Sequence, residues 1–292
     1  MIVAKKKKSP GGFRSRKSAD ILAGNPRCIY CGNLASTVEH MPPRTMFKRR
    51  DRPSGLEFAC CEPCNHGTRA ADAAAGFFSR IDVFSFDTQH WKVQEATNGP
   101  FRALRTLSPD FVDEFLDDAA EKEATLKMPS GVLLPAVQIE VGPIGQALMI
   151  VFGAKLGMAY YREHIGEALP LTGGVYIMCF LNAGFHPGQA ESLLDILPSH
   201  STLKQGERKS ASGQYDYRFN TDGKSVVAAL SHFHGNVHLF TLAAAQPDVF
   251  ELSEGPRFTG FVRPGELLAK MPKRRLAILM PTGKTHVSGP SR

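Results

Sequence analysis

Two cysteine pairs of identical spacing, Cys28-Ile29-Tyr30-Cys31 and Cys61-Glu62-Pro63-Cys64, stand out in a chain that holds only 6 cysteines in 292 residues. A two-residue gap lets both sulfurs of a pair reach one tetrahedral ion about 2.3 Å away without backbone strain. Two such pairs closing on a single Zn²⁺ tie a knuckle near residue 28 to one near residue 61. Whatever lies between must then leave and return to the same point. Cys60 sits beside Cys61 and leaves the third ligand open between them, although Cys61 restores the two-residue gap. A disulfide framework is the weaker reading, because no secretory signal opens the sequence. That feature, together with the lack of a membrane span, sets the expectation of a cytoplasmic protein.

Between the pairs lies Thr37-Val38-Glu39-His40, and Asn65 follows Cys64 at once. A carboxylate, an imidazole and an amide are thereby bracketed by the thiols. Histidine has an unperturbed pKa of about 6.5 and can take a proton from water at neutral pH. Carboxylate and amide oxygens are hard ligands, so Glu39 and Asn65 suit Mg²⁺ or Mn²⁺ better than a second zinc. His66 offers an alternative ligand, and Asn65 also reads as an ordinary helix N-cap.

The order of these elements resembles the HNH, or ββα-metal, nucleases, especially the zinc-stapled branch that includes phage Holliday-junction resolvases and many bacterial HNH proteins. The resemblance covers roughly residues 26–75. It implies that Glu39 and His40 close a first strand, that a loop and a second strand follow, and that a helix begins at the second cysteine pair. It implies further that His40 is the general base, that Glu39 and Asn65 hold the catalytic Mg²⁺ or Mn²⁺, and that Cys28, Cys31, Cys61 and Cys64 hold a structural zinc. This chain has Glu39 where Asp is more frequent, and Leu56, Glu57 and Phe58 where the middle Asn of the motif is expected. The expected activity is metal-dependent hydrolysis of nucleic-acid phosphodiester bonds, with DNA the favoured substrate. A non-catalytic zinc-stapled nucleic-acid-binding protein is the alternative.

At 292 residues the chain exceeds one average domain, and a net charge of +7 favours a polyanionic partner such as nucleic acid. The expected division is a flexible basic arm over 1–24, the zinc-stapled unit over 25–80, an α+β accessory domain over 81–280 and a loose tail over 281–292. Lys5 to Lys8 form a basic run, followed by Arg14, Arg16 and Lys17. A second cluster, Arg44, Lys48, Arg49, Arg50 and Arg52, lies close to His40 in sequence, and Arg69 falls one helical turn past Asn65. Arg44 and Arg69 are the expected phosphate contacts. Oligomeric state is left open.

Beyond residue 80 the pattern is α+β. Ser108-Pro109-Asp110 reads as a helix start, with Phe111, Phe115 and Leu116 forming an apolar face before Pro129 ends it. Val132–Val141 alternates as a strand. Ile144–Tyr161 is mostly apolar, but Gln146 and Lys155 interrupt it, so it reads as a buried helix rather than a membrane span. Gly174–Leu181 reads as a strand, Pro187–Leu197 as a short helix, and Gln214–Leu242 as two or three antiparallel strands with a turn at Gly235-Asn236. His232, His234 and His238 read as surface residues, alternation placing only the first two on one strand face. The stretch Tyr160 to His164 reads as a helix end seated on the core.

Overall fold

A computed structural model describes residues 12–81, 95–117, 121–127, 131–181, 195–204, 210–249 and 258–273. Helix α1, Gly12–Gly24, rests against the hairpin that follows it. The described part of the expected flexible arm is therefore helical. Ile21 and Leu22 in this helix are half-buried. Strand β1, Thr37–His40, pairs antiparallel with β2, Glu57–Cys60, so that Thr37 faces Cys60 and His40 faces Glu57. Helix α2, Glu62–Gly67, opens directly after β2 with Cys61 as its N-cap and Pro63 in its first turn, where a missing N–H costs nothing. Helix α3, Arg69–Phe78, is rich in alanine, and nearly every one of its residues is buried.

Helices α4, Glu95–Leu107, and α5, Pro109–Phe115, bring Phe111 and Phe115 against Phe77 and Phe78 of α3. The ring centroids lie between 5.1 and 6.3 Å apart, mostly edge to face. The expected helix from residue 109 to Pro129 stops at Phe115, and Glu121–Lys127 is strand β3 instead. Its apolar spacing is exhausted at Leu116. Full-length pairing with β4, Leu133–Ile139, then gives Glu121–Lys127 a hydrogen-bonding partner that outweighs its helix propensity.

Helix α6, Pro143–Ile165, is the buried apolar helix expected from its composition. It lies on a six-stranded antiparallel sheet. Its strands are β5, Gly174–Leu181, β6, Ser199–Ser201, β7, Tyr215–Thr221, β8, Val226–Phe233, β9, Val237–Ala244, and β10, Thr259–Val262, in the spatial order β10-β5-β9-β8-β7-β6. A short helix α7, Leu267–Lys270, follows the last strand. The strand expected at Gly174–Leu181 is present with those bounds, whereas most of the helix expected at Pro187–Leu197 and the whole tail from Pro281 lie outside the described residues. The β8–β9 turn falls one residue earlier than expected: His234 and Gly235 carry the positive φ values, 52° and 74°.

One hydrophobic cluster runs unbroken from Cys28 and Tyr30, through the alanines of α3 and the length of α6, to Val237 and Leu267. The hairpin that carries the four cysteines and the sheet region thus share a core. Gly153 and Gly157, one turn apart on α6, let the helix close on β5. A Cβ at either would stand 2.5 Å from a methyl of Ile177 or Val175. Alanine favours a helix over glycine by about 1 kcal/mol, yet here the sheet contact should win. Gly153→Ala is expected to lower stability by about 1–3 kcal/mol, as overpacking does, in urea unfolding followed by circular dichroism.

Candidate metal centre and active site

The first knuckle is built by its own backbone. The Cys28 N–H donates to the Asn33 carbonyl at 2.8 Å and the Gly32 N–H returns to the Cys28 carbonyl at 2.9 Å, with Gly32 at φ 72°. That tight turn aims the Tyr30 N–H at Cys28 Sγ, 3.4 Å away. The second pair uses the start of α2: Cys61 is extended, Cys64 lies in the first turn, and the Asn65 N–H donates to the Cys61 carbonyl at 3.0 Å. The Sγ atoms of Cys28, Cys31, Cys61 and Cys64 all lie within 4.8 Å of one another, and Cys31 and Cys61 are 3.6 Å apart. A tetrahedral ion with bonds of about 2.3 Å separates its sulfurs by about 3.8 Å, so these thiols fit a structural metal such as zinc. Cys60 is not one of the four. It ends β2 with its Sγ 3.8 Å from that of Cys28 and its thiol directed to the Cys61 carbonyl at 3.4 Å.

Alternation along β1 sends Glu39 and His40 to opposite sides. His40 is half-buried at the outer edge of the hairpin, and its Nε2 lies 3.2 Å from the Arg44 guanidinium. Burial, then the charges of Arg52 and Arg44, bring its pKa down to about 4. The ring is neutral at pH 7 as a result.

Glu39 faces inward and is 4% exposed. Its Oε1 accepts the His40 main-chain N–H at 3.0 Å, while its Oε2 lies 3.2 Å from Nζ of Lys155 in the middle of α6. Lys155 is wholly buried and donates to both oxygens of Asp72 on α3, at 2.7 and 2.8 Å. Its ammonium also lies 5.9 Å from the centre of the Tyr30 ring. Burial opposes the charge on Lys155, but the Asp72 and Glu39 carboxylates outweigh it and push its pKa up. Burial pushes Asp72 up to about 6, against the opposing pull of the same ammonium. Asn65 sits elsewhere: its Nδ2 donates to Thr37 Oγ1 at 3.0 Å, two residues back along β1 from Glu39, a strand distance of about 7 Å. The expected Glu39/Asn65 pair does not fit a hard divalent ion in this arrangement. One Glu39 oxygen accepts a main-chain N–H, and the other makes an ion-pair contact, without a hydrogen bond, with the Lys155 ammonium at 3.2 Å.

The loop between β1 and β2 carries the basic residues. Arg44, Lys48, Arg49 and Arg50 are exposed. Arg52, grouped with them by sequence, is instead buried. Its guanidinium donates to the carbonyls of Pro42 at 2.6 Å, Pro53 at 2.8 Å, Met41 at 2.7 Å and Gly55 at 2.5 Å, and lies 3.7 Å from Glu57. The sheet region grips the same loop from outside: His234 Nε2 meets the Met46 carbonyl at 2.6 Å, and Gln214 accepts the Lys48 N–H at 2.8 Å. Arg69 is exposed at the start of α3, and His66 is exposed and pairs with Glu62 at 3.4 Å.

His232 and His238 face each other directly across β8 and β9, their ring centroids 5.0 Å apart, and His232 Nδ1 bonds Asp216 of β7 at 3.0 Å. The expectation that His238 points away from His232 is corrected by the register, because residues directly opposite on paired strands share a face. The α6 end is seated on the sheet as expected, with the Tyr160 hydroxyl bonded to Tyr215 and Ser231 and His164 stacked 3.8 Å over Phe219.

The residues that sequence reasoning missed are Lys155, Asp72 and the buried role of Arg52. Lys155 carried a signal, as the single charged residue of the apolar stretch Ile144–Tyr161. Two tests follow from the geometry. Cys31→Ser or Cys64→Ser should lose the bound zinc measured by elemental analysis, whereas Cys60→Ser should keep it. NMR titration should place His40 near pH 4, with Arg44→Ala moving it upward. A depressed histidine binds its proton more readily unfolded, so its share of stability is present above pH 6.5 and lost as pH falls toward 4. No family model matches this chain, nor does any curated protein or solved structure.

Proposed function

We propose that the chain is a nucleic-acid phosphodiester hydrolase of the HNH, or ββα-metal, type, with a structural zinc on Cys28, Cys31, Cys61 and Cys64 and DNA as its favoured substrate. The observation that carries this reading is the neutral imidazole of His40, held at the outer edge of a cysteine-stapled hairpin with the Arg44 guanidinium 3.2 Å away. A base and a phosphate-binding cation at that separation are what attack on a phosphodiester requires.

In this reading the incoming phosphate draws Arg44 onto its oxygens and frees His40 Nε2. The imidazole then takes a proton from a water whose oxygen forms the new bond to phosphorus, and the bond to the leaving sugar oxygen breaks. Glu39 acts one step removed, fixing the His40 main chain through its N–H. Lys48, Arg49, Arg50 and Arg69 lie exposed for phosphates further along the strand. The HNH type implies Mg²⁺ or Mn²⁺, which would supply positive charge to the phosphate if bound. Glu39 does not fit as that ion's ligand, and what His40 and Arg44 do does not depend on it.

One observation favours a second reading, a zinc-stapled nucleic-acid-binding protein without hydrolysis: the Glu39 carboxylate faces inward onto the Lys155 ammonium, which it shares with Asp72. The two readings separate in one experiment. Purified protein is incubated with supercoiled plasmid and with single-stranded DNA and RNA, with and without Mg²⁺ or Mn²⁺, beside His40→Ala and Arg44→Ala. The hydrolase is expected to cut, to lose cutting with His40→Ala, and to lose about 10²–10³-fold with Arg44→Ala, the usual size for one charge-stabilising group. Its kcat/KM, which reports the free protein, should hold as pH is lowered until His40 protonates near 4. Salt-sensitive binding without cutting, unchanged by His40→Ala, would establish the binding protein instead.

A further inference from the structure

We propose that Lys155 is the resident cation of this centre, an ammonium built into α6 that stands where a divalent ion would otherwise bind the Glu39 and Asp72 carboxylates. Two carboxylates from different elements, β1 and α3, converge on one point in the interior, and a pair of hard anionic oxygens is a donor set that Mg²⁺ and Mn²⁺ take. Here that point is occupied by Nζ of Lys155, at 2.7 and 2.8 Å from Asp72 and 3.2 Å from Glu39. The apolar course of α6 does not itself call for a lysine at this point. Its neighbours on α6, Ala154, Leu156, Phe152 and Met158, are apolar and buried, and an apolar side chain would continue them. A lone buried ammonium is expensive to desolvate and is kept only where its charge is matched.

The match also reaches His40. Glu39 is fixed on one oxygen by Lys155 and on the other by the His40 N–H. Lys155 is therefore a positioning residue for the end of β1, supplied by a helix more than a hundred residues later in the chain. Metal binding reads this proposal out, and cleavage does not, so failure of the hydrolase reading leaves it standing and the reverse also holds.

The test is titration of the full zinc-loaded chain with Mn²⁺, with free Mn²⁺ followed by electron paramagnetic resonance. Wild type is expected to show no Mn²⁺ site that Glu39→Gln removes. Lys155→Met should gain a site at least about tenfold tighter than any in wild type, the equivalent of 1.4 kcal/mol, and adding Asp72→Asn should abolish it. A wild-type Mn²⁺ site lost on Glu39→Gln would overturn the proposal. So would a folded Lys155→Met protein that keeps its zinc and binds no Mn²⁺. Should Lys155→Met fail to fold, the comparison of wild type with Glu39→Gln decides alone.

Discussion

One ammonium shared between two carboxylates holds the cysteine-stapled hairpin against the long central helix. Lys155 is contributed by α6, Asp72 by α3 and Glu39 by β1, so the three charges meet where three elements pack. A buried pair of this kind adds little to stability over an apolar filling, but removing one partner strands the others and costs about 3–5 kcal/mol. Its effect is on specificity of arrangement: the observed register of α6 is the one that brings Lys155 to the two acids. Gly153 and Gly157, which let α6 close on β5, select the same register from the sheet side.

The same device recurs in the neighbouring loop. Arg52 is turned inward and spends its donors on main-chain carbonyls from Met41, Pro42, Pro53 and Gly55. A loop lacking strand or α-helix hydrogen bonds leaves carbonyls that must find donors when buried, and one guanidinium supplies several at fixed angles. Two cations thus organise the interior, while Arg44, Lys48, Arg49 and Arg50 stay exposed. Residues that look alike in sequence, arginines a few positions apart, divide into a strut and a surface.

What the sequence made legible was local. Paired cysteines announce themselves because the ligand spacing is set by bond lengths within a few residues, and the structure brings the four thiols together. Gly174–Leu181 and the apolar stretch of α6 were readable for the same reason, since composition and period suffice to define them. What was hidden depends on partners far along the chain. The helix expected from residue 109 to 129 gave way to β3 because β4 was there to pair with it. The meeting of His232 with His238 was fixed by cross-strand register rather than by alternation within a strand. Lys155 was visible as an interruption, but nothing near it in sequence names Glu39 or Asp72 as its partners.

The candidate site therefore does not belong to the hairpin alone. His40 is placed by β1, whose end is fixed by Lys155 through Glu39. Its neighbour Arg44 stands on a loop that Arg52 braces from within and that His234 and Gln214 hold from the sheet side. A cysteine-bound metal can fix the two ends of such a hairpin, but it cannot fix a loop that begins after β1 and bulges away from the knuckles. Arg44 lies on that loop, next to His40 at the end of β1. The sheet and the long helix supply the constraint the staple cannot, so substitutions at Gln214 or His234, remote from His40 in sequence, act on the same edge as substitutions beside it.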